Sequence, residues 1–495
     1  MKYLVLGGGV AGVCCAEELC RLCPTDEVTI VSAYRTLKGA SVIARITPFI
    51  EQIAVEERRL DDERHGNLHF VQGSAVHLDS ARKSVRLASG ESLAFDRLCI
   101  ATGAGPIHLP GSDSNGAVLT LRDTHSIAAL AQRLHSARHV AVIGNGGIAL
   151  ELIYSLRGLN VSWVVRHAHI GDAFFDADAA RFLLDTLQSC QGSVSAPAGD
   201  GVEGSCVEGG AAGGSDATAS SGAAQARQRE GPPGALLGHA VGPTWIKHLA
   251  HGQRGGALTL HLGCEVERVS RGTAPGDPGG PWPVALELSD GRWVCADVAV
   301  AALGVTPSTE WLGPELERGR DGGIKVDTRM QTSLAGVFAA GDACSAPDFD
   351  TPDSQWFQMR LWTQARSQGI HAAHAMAGVE EDTASSMAFE LFTHVTSFAG
   401  LKVVLLGRYN GQGLENEPEA DLISYSRTTP PDPSQGSPGS FVRLLLLRGK
   451  VVGAVLIGDT DLEEAVEHLI LDRLDVGAYG PSLLDPNFEL DHVFD

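Results

Sequence analysis

The hydrophobic positions of this chain fall into short blocks, and one arrangement of them occurs twice. Tyr3–Leu6 is an unbroken apolar run. It gives way to Gly7, Gly8 and Gly9, and Val13–Leu22 follows with helix-forming residues. An apolar run without polar alternation reads as a strand buried on both faces, so the stretch predicts strand, tight turn, helix. His139–Gly144 (HVAVIG) repeats the pattern, with Asn145–Ala149 as the turn and a helix through Leu156. Further buried strands are predicted at Glu27–Ser32, Phe95–Gly103, Asn160–Val165 and Val294–Gly304, and one ending in Gly-Asp at Gly336–Asp342. Leu68–Val76 and Ser84–Leu87, with the turn Ala88–Glu91, predict a small antiparallel ribbon.

Ser126–Ser136 and Met359–Ala377 read as helices, and strands are expected near Leu258–Leu262 and Val284–Leu288. Phe389–Leu406, Phe441–Leu447 and Lys450–Ile457 read as strands. Asp459–Leu474 reads as a closing helix with acidic residues at its start. Gln191–Pro233 breaks every periodicity. It is dense in Gly, Ala and Ser and cannot bury enough apolar surface to offset its ordering entropy. A disordered insertion at 191–235 is therefore expected, with shorter loops at Thr273–Pro283 and Thr428–Ser440. The fold class is α/β: two nested Rossmann-like dinucleotide-binding domains and a small C-terminal α/β domain. The expected division is 1–122 with 323–385, then 123–322, then 386–495.

Composition narrows this. The 495 residues can bury a large core, and 43% are hydrophobic. Mean hydropathy is near zero and no apolar run approaches a membrane span, so a soluble protein is expected. The net charge of −22 argues against a general nucleic-acid or anionic-membrane surface. Met1-Lys2 leads straight into the first strand, and no cleavable signal is expected. Ten cysteines without scaffold spacing suggest a reduced intracellular setting. The expected compartment is the cytoplasm, with the nucleus left open as a second one.

The turns carry the chemistry. Gly7, Gly9 and Gly12 fit G-x-G-x-x-G, and with Val10 and Ala11 they form a pyrophosphate site at a helix N-terminus. Gly144, Gly146 and Ala149 fit the G-x-G-x-x-A variant, with Asn145, Gly147 and Ile148 between them. The acidic residue that usually follows the second strand and binds a ribose is missing from both units. Ser32 or Ala33 stands there in the first and Arg166 in the second, where an arginine suits the 2′-phosphate of NADP. Ala101, Thr102 and Gly103 end a strand with residues small enough for close ligand approach. Gly341-Asp342 ends another, aiming a carboxylate at a ribityl hydroxyl or capping a helix. Arg122 either faces a flavin or pairs with an acid.

The set GGGVAG, CIATG, VIGNGGIALE, AALGVTP and VFAAGD resembles the two-dinucleotide-binding-domain flavoproteins. VIGNGGIALELIYSLRG, GDAFFDADAARFL, MRLWTQARSQG, HVTSFAGLKVVLLG and GAVLIGDTDLEEAVEHLIL extend the resemblance to the pyridine nucleotide-disulphide oxidoreductase domain-containing protein 1 group. Its members are similar to class I pyridine nucleotide-disulphide reductases without the redox dithiol. Tyr34–Glu57, where that pair would lie, has no cysteine. The resemblance implies FAD between the first unit and Asp342, with NAD(P)H on the second unit. It implies Glu151 near nicotinamide and flavin, and cofactor contacts at Val76, Gly304 and Trp362. Lys38 is the residue of Tyr34–Glu57 suited to approach a flavin ring; a solvated loop lysine is the other reading. The resemblance also implies a metal-dependent tRNA ligase as a protein partner protected from oxidative damage.

Two functions follow as expectations. One is a flavin enzyme passing electrons from NAD(P)H to a disulfide, quinone, dioxygen or protein acceptor, with a place in the oxidative stress response. The other is a slow-turnover redox sensor whose flavin–nicotinamide complex controls binding of a partner. Cys20-x-x-Cys23 lies about two and a half turns beyond the phosphate turn and reads as two ordinary thiols. His371 and His374 share a helix but lack a third ligand, and no metal is expected.

Overall fold

The computed structural model describes residues 1–59, 66–112, 114–156, 158–192, 236–237, 256–275, 281–347, 354–379, 389–432, 434, 437–488 and 493–494. The expected insertion therefore lies outside the described residues, except Gln191 and Gly192. Those two complete the helix Ala177–Gly192.

Two five-stranded parallel sheets carry the architecture. The first has the order Val337–Ala339, Arg97–Ile100, Lys2–Leu6, Glu27–Ser32, Leu68–Gln72. The second has the order Val118–Thr120, Val298–Ala301, His139–Ile143, Asn160–Val165, Leu258–Leu262. In each, the central strand leads into a glycine turn. Leu4, Val5 and Leu6 are buried, as are Val140, Ala141, Val142 and Ile143. Parallel strands covered on both faces read as continuous apolar runs for this reason. The first sheet is completed only when Val337–Ala339 pairs beside Arg97–Ile100. The second sheet lies between the two in sequence, which is the nested α/β arrangement expected.

Helix Val10–Leu22 packs against helix Trp362–Ala377 at close range. A Cβ on Gly369 would fall 2.2 Å from the Ala11 carbonyl oxygen, and one on Gly341 would fall 2.7 Å from the Ala11 Cβ. Small residues at these positions let the two helices approach. They also draw Gly341-Asp342 up to the first turn.

Several elements differ from expectation. Leu68–Gln72 belongs to the parallel sheet, and the antiparallel ribbon starts at Ala75. Tyr34–Glu57 is largely a long hairpin, Thr36–Arg45 against Glu51–Arg59, in which Lys38 lies opposite Glu57. Trp282–Leu288 is one strand, which takes Trp282 and Pro283 out of the expected loop. Leu422–Thr429 is a strand at a sheet edge, largely exposed, so no apolar run marks it.

The C-terminal part is a five-stranded antiparallel sheet in the order Thr393–Phe398, Leu401–Gly407, Lys450–Ile457, Ser440–Leu447, Leu422–Thr429. One face covers helix Glu463–Asp472, with Val404, Leu406, Val466 and Leu469 in a common core. The other face joins the core of the second unit. Phe398, Leu401 and Val403 share it with Phe174, Phe175 and Leu152. This second contact turns one end of Thr393–Phe398 toward the second glycine turn.

Candidate functional site

The two glycine turns have the same steric design. Gly7 has φ +124° and Gly144 has φ +131°, backbone that a side chain rarely adopts. A Cβ on Gly7 would lie 2.0 Å from the Ala101 carbonyl oxygen, and one on Gly144 would lie 2.1 Å from that of Ala302. Gly12 would strike the Gly7 carbonyl oxygen at 1.9 Å. These positions are closed by the fold itself. Gly9 and Gly146 are different: a Cβ on either meets nothing within 4 Å. Both are N-cap residues, of helices Val10–Leu22 and Gly147–Ser155, and no side chain caps either helix. Each helix start thus offers N–H groups and a positive dipole end to open space.

A cavity of about 400 Å³ lies before the first turn. Gly7, Gly9, Val10, Ala11, Ser32, Lys38, Ala101, Thr102, Gly103, Arg122, Asp342 and Trp362 line it. A second cavity of about 190 Å³ lies before the second turn, lined by Gly146, Gly147, Ile148, Glu151 and Gly304. Arg122, Asp342 and Trp362 line both. The two cavities meet at these side chains.

Arg122 Nη2 donates to Asp342 Oδ2 over 2.6 Å, so the arginine pairs with an acid and faces the cavities as well. Lys38 is not a solvated loop lysine. It sits on a strand, its side chain is 18% exposed, and its Nζ is 3.8 Å from Glu57 Oε1. Burial pulls its pKa below the ordinary lysine value, against the opposing pull of Glu57. Ser32 is buried, and its hydroxyl accepts from the Tyr34 amide.

Other expected residues are placed elsewhere. Val76 is 41% exposed and lines neither cavity; Gly73, Ser74 and Ala75 stand at that wall instead. Ala149 is buried in the core of the second unit. Asn145 is tied into the turn: its Nδ2 donates to the His169 carbonyl, and its Oδ1 accepts from the Gly171 amide at 2.6 Å. Gly341 packs on Ala11 and donates its N–H to Gln368 Oε1. The Arg166 side chain is 68% exposed, 3.6 Å from Glu265, and outside both cavities. It stands at the end of the strand beside the second turn.

Cys20 is buried on its helix, and burial pushes its thiol up to about 11. Cys23 lies 3.5 Å from the Tyr3 hydroxyl, and no described cysteine lines either cavity. His371 Nε2 meets the Thr328 carbonyl, and His374 pairs with Glu18. Among the described residues no three His, Cys, Asp or Glu side chains gather as a metal site. No described helix is long and apolar enough to cross a membrane.

Some wall residues carried no sequence signal as site residues. Ser308 and Trp311 line the first cavity; Phe174, Thr363, His394, Thr396 and Phe398 line the second. The alternation of His394, Thr396 and Phe398 along HVTSF shows that they share a strand face. What that face meets is decided by the sheet's docking.

Two nested parallel sheets, each presenting a glycine turn to its own cavity, define a pair of Rossmann-like dinucleotide-binding units. The chain belongs to the pyridine nucleotide-disulphide oxidoreductase family, whose model matches residues 1–192 and 235–369. It is a pyridine nucleotide-dependent oxidoreductase by that membership. The finer resemblance read from the sequence also holds. The chain is 37% identical to "Pyridine nucleotide-disulfide oxidoreductase domain-containing protein 1" of Danio rerio, over 100% of this chain and 98% of the relative. It is 34% identical to the Homo sapiens protein of that name, with the same coverage. Among solved structures, the ferredoxin reductase for the CYP199A2 system of Rhodopseudomonas palustris has the same fold. Its TM-score is 0.66 at 17% identity, covering 99% of both chains.

Proposed function

We propose that this protein is an NAD(P)H-dependent flavin oxidoreductase, with FAD in the larger cavity and NAD(P)H at the second glycine turn. One observation carries the reading: two cavities, each before a glycine turn, share the walls Arg122, Asp342 and Trp362. Two dinucleotides in these cavities would meet there.

The residues fit an FAD. Gly9 leaves open space before an uncapped helix start, which suits a pyrophosphate. Asp342, held by Arg122 and facing the same cavity, offers a carboxylate that would accept from a ribityl hydroxyl. Lys38 faces the same cavity on a strand whose partner strand supplies Glu57. Ser32 offers a single hydroxyl for a ribose, where a carboxylate would grip with two oxygens. When bound, FAD supplies a two-electron acceptor for hydride from a reduced nicotinamide. The protein's part is to orient both rings and exclude water between them. Glu151, buried on the helix that starts at the second turn and lining the second cavity, would hold the nicotinamide.

We further propose that electrons leave to an external acceptor, since Tyr34–Glu57 has no cysteine. The test is direct. The purified protein should be yellow with one FAD per chain, and anaerobic NADH or NADPH should bleach it. A colourless protein that cannot be loaded with FAD would sink the proposal.

Nicotinamide preference gives a second test. Arg166→Glu should lower the affinity for NADPH by about fivefold or more, with NADH changed less. A like charge would replace a charge-assisted pair to the 2′-phosphate. The wild-type arginine is drawn toward Glu265, so Glu265→Gln should move preference toward NADPH. An unaltered NADPH/NADH ratio in Arg166→Glu would remove Arg166 from the site.

A further inference from the structure

Helix Trp362–Ala377 serves two spaces. Trp362 and Ala365 line the first cavity. Thr363 with Ser367, and Gln364 with Gln368, form two i, i+4 pairs on the other side of the helix. These four line a separate cavity of about 50 Å³, together with Trp356 and Thr393.

Gln368 is 3% exposed. Its Oε1 accepts from the Gly341 N–H at 2.9 Å, and the Cys344 Sγ lies 3.5 Å from the same oxygen. A backbone N–H can only donate, so the side-chain amide is fixed with its oxygen toward Gly341 and its Nε2 away from it. Nε2 is buried and meets no protein acceptor among the described residues. A buried N–H donor is costly to leave unpaired, and in folded proteins such groups bond to protein or to ordered water. Gln364, one turn earlier, spends its own amide on the Met359 N–H and the Phe357 carbonyl.

The other polar groups of this cavity are acceptors. The Ser367 hydroxyl gives its proton to the Thr363 carbonyl at 3.2 Å, and the Thr393 hydroxyl gives its proton to the Phe49 carbonyl at 2.9 Å. Each oxygen keeps lone pairs. An occupant must therefore accept from Gln368 Nε2 and donate to Ser367 Oγ and Thr393 Oγ1. An anion has no proton for the two oxygens, and a cation cannot accept from the amide. Water does both, with the three partners a buried water typically has, and it needs only roughly 10–15 Å³.

We propose that ordered water in this cavity is part of the fold, and that Gln368 is the positioning residue through which it holds Gly341-Asp342. Three groups then fix that turn: Gln368 on the Gly341 N–H, Arg360 on the Asp342 carbonyl at 3.2 Å, and Arg122 on the Asp342 carboxylate. Gln368 touches neither dinucleotide cavity and acts only through its neighbours. Its effect on FAD rests on the reading that FAD occupies the first cavity; the water site does not.

The test joins a high-resolution crystal structure of the flavin-loaded protein to FAD affinities. The structure should show a water within hydrogen-bond distance of Gln368 Nε2, Ser367 Oγ and Thr393 Oγ1. Gln368→Met should weaken FAD about tenfold, the effect of losing the bond to Gly341 and its support. Ser367→Ala should weaken it about threefold by removing one of the water's acceptors, and Ser367→Thr, which keeps the hydroxyl, should restore it. In a Gln368→Met background Ser367→Ala should add nothing, and in an Asp342→Ala background Gln368→Met should cost no more than about twofold, because coupled residues are not additive. Should Gln368→Met fail to fold, the two Ser367 variants carry the comparison. A wild-type structure without that water would overturn the site. Additive losses from Gln368→Met with Ser367→Ala, or with Asp342→Ala, would overturn the positioning role. If the wild type binds no FAD, the reading of the first cavity fails, and the crystallographic water still decides this one.

Discussion

A Gly9→Val variant will purify folded and colourless. The Gly9 Cβ position meets nothing within 4 Å, so the added side chain collides with no protein atom around that first carbon. It does occupy the approach to the start of helix Val10–Leu22, where a pyrophosphate would have to come within hydrogen-bond distance of backbone N–H groups. FAD affinity should fall on the order of 100-fold, and thermal stability of the flavin-free protein should stay close to wild type. Gly12→Ala should behave in the opposite way. Its Cβ would strike the Gly7 carbonyl oxygen at 1.9 Å, a backbone contact with no flexible atom to yield. Overpacking of this kind destabilises by about 1–3 kcal/mol or more. Flavin content and melting temperature, measured on both variants, separate ligand space from packing space within one motif. Full flavin occupancy in Gly9→Val would displace FAD from the first cavity.

Anaerobic reduction will be complete with one equivalent of NADH. Among the described residues, no thiol pair stands at either cavity to take up a second. No described cysteine lines either cavity. Cys14 and Cys20 have thiol pKa values pushed up to about 11 by burial, and the Cys15 thiol is raised well above its ordinary value. At neutral pH they are protonated and poor nucleophiles. Their titration points the same way: thiolate chemistry at these sites would emerge only as pH rises toward about 11. Cys20→Ser and Cys23→Ser should leave the titration endpoint unchanged. A second equivalent consumed by the wild type and lost in either variant would place a redox pair on that helix. Addition of oxygen or a quinone after the endpoint then reads acceptor use without interference from internal thiols.

The elements with strong local signals were legible in the sequence. Apolar runs ending in glycine located both turns, because a parallel strand covered on two faces leaves no polar alternation. Asp342 was legible for a related reason, since Val337–Ala339 is a buried apolar run and the acid is part of the Gly-Asp stop just beyond it. The hairpin Thr36–Arg45 with Glu51–Arg59 was not legible. Its cross-strand pairs carry more polar than apolar residues, Lys38 opposite Glu57 among them. The edge strand Leu422–Thr429 was hidden for the same physical reason, being largely exposed.

The sequence by itself determined the two glycine turns, the nested order of the two sheets and the absence of cysteine in Tyr34–Glu57. These are local properties of glycine sterics, apolar periodicity and composition. Only the tertiary structure decided that Gly9 and Gly146 face open space while Gly7, Gly12 and Gly144 face backbone. It alone joined the two cavities at Arg122, Asp342 and Trp362, and set His394 in the wall of the second. Those facts depend on atoms far apart in the chain being pressed together by burial. Helix Trp362–Ala377 reaches the first turn because Gly341 and Gly369 yield to Ala11. The C-terminal sheet reaches the second because Phe398 and Val403 share a core with Phe174 and Leu152.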